Sequence, residues 1–339
     1  MVSIIIINWN NLPDLKECLN SIRKISYEDY EIVIVDNGST DGSISYLKKE
    51  KAHFSNIKLV QNKTNLGFAE GNNIGFKKAT GDLILFLNND TIVDKNFLTP
   101  LISILKSAPE IGAVQPKILN YPKKEIIDSV GSYLLPTGFL YHLGHNRQDT
   151  GRFNEASEIF SMKGACMLFK REVIAKTGLF DKSYFAYFEE TDLCHRVWLS
   201  GYKILFLPSS SIYHKGGQTA KNIQASFIQF HSYKNRIFTY LKNLEPGNAF
   251  KILLLHLLFC EIITLVYFFT LQFAMAYAIQ KAIFWNLRNW KKIAGERRKI
   301  AKLRKVSDEE ILPKISRTVK FSYYYHLFTT SLAGYEEYK

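Results

Sequence analysis

Glu31-Ile32-Val33-Ile34-Val35-Asp36-Asn37-Gly38-Ser39-Thr40-Asp41-Gly42 is the stretch on which the fold turns. A β-branched apolar run stops at a carboxylate, and a polar, flexible loop follows. A strand with no polar face must be covered on both sides, as in a parallel sheet. The pattern recurs. Val2–Ile7 runs into Asn8-Trp9-Asn10, and Leu83–Leu87 runs into Asn88-Asn89-Asp90. Helices fill the intervals. Asn11 is a candidate N-cap with Pro13 in the first turn, and Leu15, Leu19 and Ile22 then fall on one stripe. A second helix is expected around Ser43–Lys51, a strand at Ile57–Gln61 and a short helix over Ala69–Ala79. Alternating strands and helices make an α/β fold, with a mainly parallel sheet flanked by helices. Ligands of such sheets bind beyond the carboxyl ends of the strands, so the three polar clusters are expected to share one site.

Beyond this unit the pattern weakens. Gly131, Pro136, Gly138, Gly144 and Gly151 interrupt the stretch from Leu119 to Phe160, with Tyr133, Phe139 and Tyr141 interleaved. It reads as a long, irregular, substrate-covering loop region. Order returns with a strand at Ala165–Phe169, helices at Arg171–Lys176 and Glu189–Ser200 (closed by Gly201), and a strand at Ile204–Leu207. Asp192 and Arg196, four apart, are expected to pair on a helix surface.

The chain has 339 residues, 47% hydrophobic and 14% aromatic, which is enough for a sizeable core and excludes wholesale disorder. Its 44 Lys+Arg against 31 Asp+Glu leave a charge of +13 and favour an anionic partner. Cys18, Cys166, Cys194 and Cys260 show no C-x-x-C spacing, which argues against a zinc ribbon or disulfide framework and fits a reducing compartment. Met1 leads straight into Val2–Ile7, too short for a signal-peptide core, so the N-terminal part is expected in the cytosol.

The last third differs. From Ile252 to Ile279 the only charged residue is Glu261, and Ile262–Ile279 is 18 residues without charge, the lower limit for a span. Lys281–Lys305 then holds ten Lys/Arg and one acid, Glu296, and residues 246–339 carry +8 of the +13. A basic run beside an apolar segment suits an anionic cytoplasmic leaflet. One crossing would export the basic run, against the positive-inside rule. Two crossings need about 40 apolar residues, and Phe250–Trp285 supplies 36. A re-entrant or in-plane helical anchor is therefore expected. The chain divides into a catalytic unit, 1–245, and an apolar and basic membrane-associating region, 246–339.

Five motifs together resemble the family 2 glycosyltransferases, most closely their rhamnosyltransferase-like members. They are Asn8-Trp9-Asn10, Val35-Asp36-Asn37-Gly38-Ser39-Thr40-Asp41, Asn65-Leu66-Gly67-Phe68-Ala69, Leu87-Asn88-Asn89-Asp90, and Phe188-Glu189-Glu190-Thr191-Asp192-Leu193 extended by His214. The resemblance covers roughly residues 1–220. It implies a GT-A fold, a nucleoside-diphosphate sugar donor, a divalent metal (Mg²⁺ or Mn²⁺) and inversion at the anomeric carbon. It assigns Asn8, Asp36, Gly38, Asn65, Asn89 and Gly164 to the nucleotide-sugar site.

Within it, Asp36 would accept a hydrogen bond from a ring N–H of the donor base. Uracil, thymine and guanine all offer one, and an Asx-turn role with Gly38 is the alternative. Asp90 is the last residue of the family's D-x-D metal motif. Asn88 stands where the first Asp is usual, a neutral and weaker ligand for a hard cation. An N-cap for the next helix is the other reading of Asp90. Glu190 stands where the family's catalytic base is Asp, and would take the acceptor hydroxyl's proton, with Asp192 two residues on as its nearest rival. The macrodipole also favours acids in a first helical turn. His214 completes the metal or diphosphate site in several relatives, while a lone histidine is more often an ordinary residue. Lys215 is a further candidate for the diphosphate. Gly164-Ala165-Cys166-Met167-Leu168 would line the donor sugar, or form a bent buried strand.

The expected activity is transfer of a sugar, from dTDP-rhamnose or a UDP-sugar, to a glycan or lipid-linked acceptor at the cytoplasmic membrane surface, as a step of cell-envelope polysaccharide synthesis. The alternative is a catalytically retired sugar-nucleotide or membrane binder. A nucleotidyltransferase would need a Gly/Arg-rich loop after the first strand, and Asn8-Trp9-Asn10-Asn11 is not one. Gly67, Gly71 and Gly75 are not spaced as a dinucleotide fingerprint. The apolar segment beside the basic run suits lipid better than nucleic acid.

Overall fold

The computed structural model describes residues 1–216 and 224–324. Its first unit is β1 (Val2–Asn8), α1 (Leu12–Ile22), β2 (Tyr30–Asp36), α2 (Ser43–His53), β3 (Ile57–Gln61), α3 (Gly67–Lys78) and β4 (Leu83–Asn88). There follow β5 (Thr91–Val93), α4 (Leu98–Ser107), β6 (Ile111–Asn120), β7 (Ile127–Ser129), β8 (Ser132–Leu134), β9 (Leu140–His142) and β10 (Ser157–Glu158). Then come β11 (Cys166–Lys170), α5 (Arg171–Thr177), α6 (Glu189–Leu199) and β12 (Lys203–His214). The chain closes with α7 (Ala225–Asn243), α8 (Pro246–Phe269), α9 (Phe273–Arg288), α10 (Trp290–Leu303) and α11 (Asp308–Ile315).

The main sheet runs β10-β12-β6-β11-β4-β1-β2-β3. β4, β1, β2 and β3 are mutually parallel, and so are β6 and β12. β11 is antiparallel to both neighbours, β4 and β6, and joins the two parallel blocks. Alternate residues of the apolar strands serve two cores. Ile4, Ile6, Ile32 and Ile34 face one, with α1 and α4, while Ile5, Val33 and Phe86 face the other. This is the α/β architecture expected from the sequence. The glycines at 67, 71 and 75 have a packing role. A methyl group on Gly75 would collide with Ile5, and one on Gly71 would crowd Ile7, so α3 lies close against β1.

Three local expectations are corrected. Asn11 stands at the N-cap of α1, but its side chain donates to Asp14 at 2.8 Å, and the Leu12 amide is capped by Asp41 at 2.8 Å. The region 119–160 is not an open loop. β8 and β9 pair as a hairpin, and Val130, Leu134, Leu135 and Phe139 are buried against the C-terminal helices. Its strands are too short to register as periodicity, and glycines at positive φ separate them. Asp192 and Arg196 pair, but inside the molecule. Asp192 is 0% exposed and also accepts from Lys242 at 3.0 Å and Asn243 at 2.9 Å, both on α7.

The uncharged stretch Ile262–Ile279 is split between two helices. α8 ends at Phe269, Leu271 takes φ 59°, and α9 turns back. Gln280 on α9 donates to Glu261 at 3.0 Å and Thr264 at 3.1 Å on α8, so the pair is an antiparallel hairpin. By length and composition α8 alone is sufficient to cross a bilayer, with 28% of its apolar window buried. Its outer face exposes Phe250, Leu254, Leu258, Leu265 and Phe269.

Candidate active site

The carboxyl ends of β1, β2 and β4 carry the three asparagine-rich clusters, and they meet. Asn8 donates to Asp36 at 2.8 Å and to Ser39 at 3.2 Å, and accepts from Asn89 at 2.8 Å. Asp36 also accepts from the Ser39 amide at 2.8 Å. Asn8 and Asp36 are both 0% exposed. They knit the strand ends together behind the wall of the cleft rather than lining it. Gly38, at φ +78°, sits against the Lys63 backbone.

In front lies a cleft of about 500 Å³, lined among others by Trp9, Asn65, Asn89, Asp90, Gly164, Glu190 and His214. Most of the candidates chosen from sequence thus line one cavity, with Asn8, Asp36 and Gly38 set behind it. Lys215 does not point there. It pairs with Asp14 at 2.6 Å and Glu17 at 2.9 Å on α1. Gly217, three residues after His214, lies outside the described residues.

β12 pairs with β5 so that His214 faces Thr91, which brings it to the loop after β4. His214 Nε2 lies 3.2 Å from Asp90 Oδ1, and its Nδ1 lies 2.8 Å from Asp128 Oδ2. Burial disfavours charge on the imidazole, but contacts with Asp128 and Asp90 outweigh it and lift His214 to about 9. Burial also works against charge on Asp128, yet His214 and Lys163 hold that carboxyl far below its usual range. Asp128 Oδ1 accepts from Lys163 Nζ at 2.6 Å. Sequence reading missed Asp128, which lies in β7, within the segment read as loop.

The donor set fits a hard divalent cation. Asp90 Oδ1 is buried without a well-aligned hydrogen bond, 3.2 Å from Nε2 of an imidazole whose other nitrogen is held by a carboxylate. A cation bound at Nε2 would replace the proton that the imidazole otherwise carries. Among the described residues no cluster of three or more His, Cys, Asp or Glu side chains surrounds one point. Oxygens of a ligand and water would complete the shell.

Across the cleft, Glu189 and Glu190 open α6. Phe185, Tyr187 and Phe188 just before them take φ of 65°, 71° and 72°. Bulky residues in that region are strained, and the surroundings must hold them there. Two devices do so. Asn235 on α7 donates to the carbonyls of Tyr184 at 3.1 Å, Ala186 at 2.9 Å and Tyr187 at 2.6 Å. The Phe185 carbonyl accepts from the Ala69 amide at 3.1 Å, at a point where any side chain on Gly67 would collide with it. The Asn65-Leu66-Gly67 motif thus seats the loop that carries the two acids. Burial raises Glu190 to about 7, partly offset by its backbone amide, Thr191, Lys163 and Arg236. Burial and the Glu190 charge raise Glu189 well above its usual value. A carboxylate near 7 can both accept and release a proton at neutral pH.

Residues 3–178 match the family described as glycosyl transferase family 2. The chain is similar to the low-salt glycan biosynthesis hexosyltransferase Agl10 of Haloferax volcanii, 24% identical over 242 residues, which is 69% of this chain and 74% of that protein. It is also similar to the poly-beta-1,6-N-acetyl-D-glucosamine synthase of Staphylococcus aureus, 26% identical over 211 residues. That match takes in 61% of this chain and 48% of the synthase, so the chain spans about half the length of that relative. Among solved structures, GalNAc-T7 with UDP, GalNAc and Mn²⁺ aligns at TM-score 0.55 and 22% identity, over 63% of this chain and 43% of that one. S. aureus TarS 1–349 with UDP-GlcNAc aligns at 0.55 and 18%, over 76% and 71%. The mannosyltransferase PcManGT of Pyrobaculum calidifontis, with GDP-Man and Mn²⁺, aligns at 0.52 and 15%, over 84% and 86%. At these identities the structural likeness speaks for the fold alone, which is GT-A-like. With more than half of its length matched by the family and the strand-end clusters gathered at one cleft, the chain belongs to glycosyl transferase family 2 and is a glycosyltransferase.

Proposed function

We propose that the protein is an inverting transferase. It moves a sugar from a nucleoside-diphosphate donor, dTDP-rhamnose or a UDP-sugar, to a hydroxyl of a glycan or lipid-linked acceptor at the cytoplasmic face of a membrane. The observation that carries this reading is Glu190, raised to about 7, in the same cleft as the Asp90–His214 pair. Glu190 takes the acceptor hydroxyl's proton as the oxygen bonds to the anomeric carbon. The bond from that carbon to the phosphate oxygen breaks, and its electron pair leaves with the nucleoside diphosphate. Asp90 and His214 would hold a divalent cation, which when bound neutralises charge on the departing diphosphate. Asp128 keeps His214 turned toward Asp90. Asn8, Asp36, Gly38, Asn65, Asn89 and Gly164 shape the donor side. Nucleotide-sugar ligands and Mn²⁺ in the structural relatives support the donor class and metal.

The exposed apolar face of α8 and the basic residues of α9–α10 support a membrane-associating region over 246–339 attached to a catalytic unit of 1–245. The test is a thermal-shift screen in detergent with UDP, dTDP, GDP and CDP, each with Mn²⁺ and with EDTA. A shift with dTDP or UDP that needs Mn²⁺ is expected, since a ligand of the native state raises its midpoint. Absence of any shift from folded protein would reject the donor reading. Binding without turnover of any donor would favour the retired binder, which Asn88 in place of an acid already suggests.

A further inference from the structure

The cleft holds a cation that the donor reading leaves unused. Arg236 on α7 lines the cavity, and its guanidinium lies 4.8 Å from the ring of Phe139, 5.0 Å from Phe188 and 5.5 Å from Tyr233. Its Nε is buried without a hydrogen-bond partner, and among the described residues no carboxylate pairs with the group. Arg236 is half-buried, whereas the fully buried cations of α7 and α6 have bonded partners, Lys234 donating to the Ser183 carbonyl at 2.7 Å. Lys242 pairs with Asp181 and Asp192, and Arg196 pairs with Asp192 and donates to three backbone carbonyls. A guanidinium enclosed by three rings, with only the charge of Glu190 acting on it from beyond ion-pair distance, is costly unless a ligand brings a bonded counter-ion.

Its location says which ligand. Arg236 follows Asn235, which pins the loop into Glu189–Glu190, and it packs over Phe188, two residues before the base. Arg236 therefore stands on the base's side of the cleft, whereas the donor diphosphate is expected at Asp90 and His214. The base's side receives the acceptor. We propose that the acceptor is a phosphate ester, with its phosphate held by Arg236 while its reacting hydroxyl meets Glu190. This rests on the assignment of Glu190 as base. The phosphate could belong to a soluble glycan phosphate or to a lipid headgroup. The other face of α7 packs on the apolar hairpin, where Asn286 of α9 donates to the Lys234 carbonyl at 3.0 Å and Phe238 meets Trp285.

The experiment titrates inorganic phosphate and octyl phosphate into the full-length protein in detergent with EDTA, so that no divalent cation bridges the anion. UDP with Mn²⁺ is titrated separately. Wild type is expected to bind both phosphates. Arg236→Gln should weaken them at least tenfold, Arg236→Lys should retain part of the affinity, and UDP–Mn²⁺ binding should stay within twofold in both. Octyl phosphate binding more tightly than inorganic phosphate supports the lipid source, and equal affinity the soluble one. The proposal is overturned if Arg236→Gln leaves phosphate binding unchanged, if it weakens UDP–Mn²⁺ instead, or if UDP–Mn²⁺ displaces octyl phosphate. Phosphate binding through Arg236 in a protein that binds no nucleotide would remove the donor reading and leave the anion site standing.

Discussion

At the scale of single residues, Glu190 is where the proposed chemistry concentrates. Its carboxyl titrates near 7 because burial penalises the charged form. Only the ionised form can act as base. Activity should therefore rise with pH through about 7 and level off above, and a kcat/KM profile from pH 5 to 9 checks this. Glu190→Gln should lower kcat by about 10²–10⁴, the usual share of a general base, and leave nucleotide binding intact. Asp128 makes a different prediction. It holds Nδ1 of His214 at 2.8 Å and so decides which nitrogen faces Asp90. Asp128→Asn should weaken Mn²⁺ binding about 10–100-fold, read by electron paramagnetic resonance of free Mn²⁺. Unchanged affinity would show that His214 is no ligand. Asp90 and Glu190 were legible in the sequence because each sits in a motif. Asp128 was not, because its meaning comes from a histidine 86 residues later.

Among the elements, α3 and α7 both hold the loop that precedes α6. α3 begins at Gly67, where a side chain would collide with the Phe185 carbonyl. Gly67→Ala adds that collision to the cost of an alanine at φ +80°. A stability loss of about 2 kcal/mol or more is expected, measured by urea denaturation, and kcat should fall with it as the loop shifts. The motif was visible in sequence, but its partner was not. α6 offers a parallel case. Asp192 and Arg196 are four apart on any helical reading, yet only packing against α7 shows the pair to be buried, with Lys242 as a third member. Asp192→Ala would leave Arg196 and Lys242 short of a counter-charge inside the protein, at a cost of about 3–5 kcal/mol. A surface pair would give about 1 kcal/mol or less, so one denaturation curve separates the two.

For the whole molecule, the apolar hairpin is the surface that meets the surroundings. α8 exposes Phe250, Leu254, Leu258, Leu265 and Phe269, and the turn adds Leu271 and Phe273. The basic face of α10 lies beyond α9, and α10 also anchors to α7, where Arg297 donates to the Leu241 carbonyl. If the hairpin docks on anionic lipid, Phe269→Ser and Leu271→Ser should each weaken co-sedimentation with phosphatidylglycerol vesicles about tenfold, as expected for losing one buried side chain. Binding should also fall in 0.5 M salt, as screening removes the electrostatic share. Thermal shifts with nucleotide should be unchanged, since the tip is far in sequence from the cleft and contributes nothing to its lining.

Sequence alone was enough to read the α/β order, the strand ends that meet at the cleft, and Asp90 and Glu190 as acids of its lining. These features are local. Apolar runs, turn residues and capping signals express themselves within a few positions of where they are written. It took three-dimensional packing to show that Asn8 and Asp36 lie behind the cleft, that region 119–160 is a buried part of the fold, that Arg236 lines the cleft, and that Asn235 and Asp128 hold residues that line it. Each of those depends on a contact between segments far apart in the chain. Such a contact is set by how helices and strands pack to fill the core, and no short stretch of residues carries it.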